Sequence, residues 1–243
     1  MKNLKNVPQI ILKSKCINHP IDYKWNNKKM QNFLDPLEGN EELENILSQI
    51  NHKASVGLTA ALLEWVYWRF RKYTTASNDV EKRIEALWYS IANREYTMPL
   101  DFDTDLDIPT SGSVNGPMWV ALMTVKMVDV RYRKGSYFIQ SEIIGLVLLA
   151  RHLSPKKKTF DKWFEKTIYE LIRLFPCQYG NENLDESDEA VYDSSSENLI
   201  CRDFFFDSEF KYSVESSEKA INDFIGNLDY KANPFLSIQR NAC

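Results

Sequence analysis

The apolar positions of this chain recur mostly at helical spacing, and strict two-residue alternation is rare. The most apolar stretch, residues 55–73, reads SVGLTAALLEWVYWRFRKY. Wound as a helix, it places Val56, Leu58, Leu62, Leu63, Trp65, Val66, Trp68 and Phe70 around more than one face, so it predicts a central helix with neighbours on several sides. Its one acid, Glu64, falls within the apolar part and is expected to satisfy an arginine or a backbone group at a helix interface. Arg69, Arg71 and Lys72 fall at its C-terminal end, where the helix dipole favours positive charge.

The flanking segments carry narrower stripes. Ile84, Leu87, Trp88 and Ile91 predict an amphipathic helix over 80–94. A further helix is expected over 117–134, with Pro117 as its first residue and Gly135 as its stop. Others are expected over 41–51, opened by Asn40 as N-cap, and over 136–153, 160–175 and 217–228. Residues 1–40, punctuated by Pro8, Pro20, Pro36 and Gly39, predict extended segments and turns with one short strand at 9–13. Residues 95–116 read as a loop. The LICRDFFF run over 199–206 should dock on the body, and the last dozen residues should fray. The expected fold is a single all-α domain over 1–243, an array of antiparallel helices in a bundle or stacked hairpins. An irregular N-terminal segment precedes it, and an acidic loop precedes its last helix.

Composition adds an uneven charge. The net charge is −4, but residues 1–173 carry 25 basic and 20 acidic side chains, whereas residues 174–243 carry 5 and 14. The acidic C-terminal part argues against nucleic acid as a partner, because phosphates would be repelled. Cys16, Cys177, Cys201 and Cys243 form no CxxC pair, and the short Ile10-Ile11-Leu12 run is too brief for a secretory leader. Glu64 and Glu142 interrupt the longest apolar runs, so no membrane span is expected, and the expected compartment is the cytoplasm.

Candidate chemistry is sparse. His19, His52 and His152 lack metal-ligand spacing, and no Glu has His three residues on. Asp101, Asp103, Asp105 and Asp107 alternate, which puts them on one face of extended chain. As a calcium loop the run fails, since neither frame supplies the required Gly and Glu. A solvated acidic loop and a partner-binding face remain as readings of it. Residues 182–198 hold seven acids, no Lys or Arg and three consecutive serines, a composition that buries little and predicts a mobile loop. Gly112 to Gly116 lacks the Lys-Ser/Thr of a phosphate loop and reads as a helix entry. No cofactor, metal or catalytic residue is expected.

The runs EWVYWRF over 64–70, EALW over 85–88 and GPMW over 116–119 resemble those of helical immunity proteins of bacterial polymorphic toxin systems. The likeness spans about residues 52–125, and its motifs are packing residues. It implies a cytoplasmic, non-enzymatic all-α protein that binds a cognate toxin domain and blocks it, many such toxins being nucleases with basic clefts. The partner-facing residues would then be Asp101, Asp103, Asp105 and Asp107, with Glu182, Asp185, Glu186, Asp188 and Glu189. The competing expectations are a helical scaffold or adaptor, and an enzyme with a site inside the helical array.

Overall fold

The computed structural model describes residues 4–17, 19–36, 39–103, 108–179 and 191–237. Among them the chain forms ten α-helices and no sheet, so the fold is all-α. Helix α4, His52–Phe70, is buried along its whole length. Four helices pack on it: α5 (Ser77–Ala92), α6 (Asn115–Lys134), α7 (Ile144–Leu153) and the short α9 (Arg202–Phe206). Around this centre, α8 (Lys157–Leu174) packs on α7, α10 (Val214–Ile225) packs on α5 and α9, and α3 (Glu41–Leu47) packs on α7.

The N-terminal region is more ordered than its prolines suggest. The strand expected at 9–13 is instead helix α1, Gln9–Ser14, entered from Pro8 and closed by Lys15 in the left-handed region. A second helix, α2 (Asn27–Leu34), follows, with the Asn26 side chain accepting from the Lys29 amide. Each lies on a helix far along the chain, α1 on α8 and α2 on α6 and α7. Tertiary burial of Ile11 and Leu4 therefore overrides weak local propensity. Arg69 fastens this region. Although it sits in the last turn of α4 it is buried, and its guanidinium donates to the carbonyls of His19, Pro20 (2.9 Å) and Leu153 (3.2 Å).

Other boundaries moved for identifiable reasons. Asn40 does not cap α3 with its side chain; its amide donates to Pro36 instead. Helix α6 starts at Asn115, which leaves Pro117 in the first turn, where its missing N–H costs nothing. The helix expected over 136–153 begins with a 3-10 turn, Ser141–Ile143, and becomes α-helical at Ile144. The chain end does not fray at once: Leu236 bridges Thr97, and the Met98 amide donates to the Phe235 carbonyl at 2.9 Å.

Candidate functional site

Two features of α4 place the C-terminal third of the chain. At its N-terminus the first amides need acceptors that the helix itself cannot supply. The His52 and Lys53 amides donate to the Glu197 carboxylate at 3.1 and 2.7 Å, and the Ala54 amide donates to the Asn51 side chain at 2.9 Å. The Lys53 ammonium turns back to the carbonyls of Ser195 and Glu197, at 3.2 and 2.7 Å. The 182–198 segment is thus not wholly a solvated acidic stretch, because Glu197 and Ser194 are buried. A carboxylate at a helix N-terminus complements the dipole, which is why an acid can be buried there.

His52 forms the other half of this knot. Its Nε2 lies 2.8 Å from the Ser136 carbonyl and its Nδ1 lies 3.2 Å from the Tyr179 hydroxyl. The Tyr192 ring stacks on it at 4.6 Å. Burial, opposed by the Ser136 hydrogen bond, pushes its pKa down to about 4, so the ring is neutral at pH 7. Gly135 makes the knot possible. It ends α6 at φ 65°, and a Cβ there would lie 2.4 Å from the Tyr192 carbonyl.

In the middle of α4, Glu64 meets an arginine, one of the two kinds of partner expected of it. Arg202 binds both carboxylate oxygens, at 2.6 and 2.8 Å, and the Trp88 indole donates to the same group at 3.3 Å. Both ends of the ion pair are buried. Glu85 is engaged separately, accepting from Asn233 at 3.0 Å. Gly57 lets the 199–206 strip lie close to α4, since a Cβ there would sit 3.0 Å from Ile200 and 3.1 Å from Phe205. The LICRDFFF run docks as expected, with α9 as its core.

The docked strip makes one wall of a half-open groove of about 620 Å³; α8 makes the other. Trp163 from α8 stacks on Phe206 from α9 (centroids 6.1 Å, planes 7° apart), and its indole donates to the Phe205 carbonyl at 2.8 Å. The Arg202 guanidinium lies 5.3 Å from the Phe206 centroid, so the core ion pair also steadies this floor. Phe204 and Phe210 line the groove and are half-buried. Its rim is mainly basic. Arg173 is paired with Glu170, but among the described residues the exposed ammoniums of Lys162, Lys166 and Lys211 have no acidic partner. Asp207 is the acid on the rim without a cationic partner among those residues.

Of the residues chosen from sequence, Asp101 and Asp103 are exposed on either side of buried Phe102, so the alternation expected there holds over these three positions. Asp105, Asp107, Glu182, Asp185, Glu186, Asp188 and Glu189 lie outside the described residues. The groove residues were not singled out, because the 199–206 run reads only as a segment that docks on the body, in which Trp163 and Phe206 are indeed buried. The four phenylalanines within 204–210 were the available sign. Among the described residues no group of three or more His, Cys, Asp or Glu could hold a metal, and no helix is long and apolar enough to cross a membrane. Comparison with known proteins finds no matching family model, no matching curated protein and no matching solved structure.

Proposed function

We propose that this protein acts by binding, as the inhibitor of a partner protein, and that the partner is a cognate toxin of the kind the sequence resemblance implies. The observation that carries the binding reading is the groove between α8 and the 199–212 strip. Its aromatic floor is fixed by the Trp163–Phe205 hydrogen bond and by the buried Glu64–Arg202 pair, while its mouth opens to solvent. Rigid aromatic side chains beside water are the residues that anchor protein interfaces at low conformational cost. Asp101 and Asp103 offer a second, acidic contact of the kind that speeds association with a basic cleft. The settings of His19, His52 and Cys16 support binding over catalysis at those three residues. His19 pairs with Asp22, His52 is closed inside its knot, and the Cys16 thiol is buried with its pKa raised by desolvation.

The test is to examine the adjoining reading frame for a secreted toxin and to co-express the chain with the toxin domain found there. One-to-one co-purification together with restored growth of the producing cells is expected. A chain that neither retains that domain nor protects against it overturns the toxin reading.

A further inference from the structure

We infer that the groove between α8 and the 199–212 strip receives an acidic peptide segment of the partner, anchored by one or two aromatic or large aliphatic side chains. The inference rests on the binding reading above and adds the chemistry of the occupant. Charge decides the first half of it. The chain as a whole carries −4, yet Lys162 and Lys166 stand one helical turn apart on one rim and Lys211 stands on the other. Side chains at that helical spacing lie about 6 Å apart and converge on one stretch of rim. With Arg173 already neutralised by Glu170, these three ammoniums outweigh the single carboxylate of Asp207. A ligand carrying carboxylates along both edges gives them the counter-charges that the described residues of the chain do not.

The floor decides the second half. Phe204 and Phe210 are half-buried and offer the groove its apolar surface, backed by the buried stack of Trp163 on Phe206. An occupant of acids alone would leave this apolar surface wet, whereas one with a ring or branched aliphatic group covers it. Shape then favours a peptide over a free amphiphile. Small-ligand sites bury most of a ligand's surface, and a half-open groove cannot. A peptide lying along the groove uses one face and leaves the other in solvent.

The probe is a short fluorescein-labelled peptide in which glutamates flank one tryptophan and one leucine. Its controls carry lysine for glutamate, or serine for both apolar residues. Anisotropy is read with the parent chain, with the triple variant Lys162→Glu, Lys166→Glu, Lys211→Glu, and with Phe210→Ala, and thermal unfolding checks that each variant folds. The parent is expected to bind the acidic peptide, more weakly as salt rises, and to bind neither control. The triple variant should lose at least about tenfold in affinity through charge, and Phe210→Ala should lose a comparable factor through the floor. Equal binding by the folded triple variant overturns the inference, as does displacement of the peptide by laurate together with equal binding of the serine control. The outcome is independent of the toxin test. Partner binding that ignores the triple variant leaves the inhibitor reading standing and removes the groove from it. Peptide binding without toxin binding does the reverse.

Discussion

Two strips outside the long helices are fastened to the helical core by charged side chains, and they differ in how far the cation of each fastening is buried. The 193–206 strip is tied to α4 by Glu197 at the helix N-terminus and by Arg202 at mid-helix, both buried. The 96–103 strip is tied mainly to α6. Asp129 accepts from the Leu100 amide at 2.9 Å, and Arg133 donates to the Met98 carbonyl at 2.9 Å and to the Thr97 hydroxyl at 2.7 Å. Arg83 adds a bond to the Leu100 carbonyl at 3.0 Å. Asp129 and Arg133 pair with each other one turn apart, and the Arg133 side chain is 21% exposed. If the second fastening loses its acid, Arg133 can rehydrate where it stands, although Asp129 and Arg83 are themselves buried; if the first loses its acid, the Arg202 cation is stranded in the core. Consequently the first strip can hold a groove wall rigidly, while the second presents Asp101 and Asp103 on a more replaceable mount.

The largest expected effect follows from stranding a charge. Glu64→Gln should lower unfolding free energy by roughly 3–5 kcal/mol, because Arg202 stays buried without its counter-ion. Replacing both partners with apolar residues, Glu64→Leu with Arg202→Met, should recover much of that loss in a denaturant titration. A double variant as unstable as the single would show that the pair itself, rather than its burial, holds the strip.

Acid should loosen the same strip through His52. The neutral ring is favoured in the fold, and its pKa of about 4 lies below the unfolded value of 6.5, so the unfolded chain binds the extra proton between those limits. Its contribution is intact above pH 6.5 and is lost as pH falls toward 4, by roughly 3 kcal/mol over the whole interval. Burial raises the Glu197 pKa, which acts in the opposite sense: the group favours the fold more when protonated at low pH than when ionised at high pH. The measurement is therefore the difference between parent and His52→Gln. Their stability gap should shift against the parent on acidification, and a constant gap from pH 7 to 4 would remove His52 as the sensitive group.

Asp129→Asn in the second strip should cost less, about 1–3 kcal/mol, the range for one disrupted buried hydrogen-bonded group. If its effect equals that of Glu64→Gln, the contrast between the two fastenings fails. The smallest change in stability is expected at the surface of that strip. Asp101→Asn with Asp103→Asn should shift stability by no more than about 0.5 kcal/mol, as exposed substitutions usually do. Association with a basic partner should nevertheless slow, most clearly at low salt. Unchanged association kinetics at both low and moderate salt would leave these aspartates as a solvated edge.

The sequence by itself determined most of the helical core. The all-round apolar character of 55–70 allowed no arrangement except a buried helix, and the three-and-four spacing of Ile84, Leu87, Trp88 and Ile91 could bury a stripe only as a helix. Even that Glu64 would need an arginine or a backbone partner could be expected, since a carboxylate in that setting must be compensated. Which arginine it is could not be read, because 138 residues separate Glu64 from Arg202 and local pattern carries no information over that distance. The helices α1 and α2 were hidden for the same reason: their stability comes from docking on α8, α6 and α7 rather than from their own residues. Tertiary structure also decided the fate of two similar charges. Glu197, one acid among seven in a polar run, became a buried helix cap, while Asp101 stayed in water. The groove lies furthest from sequence. An aromatic ring is core or contact surface according to whether another segment covers it: where α8 meets the 199–212 strip, Trp163 and Phe206 are buried while Phe204 and Phe210 stay half-covered.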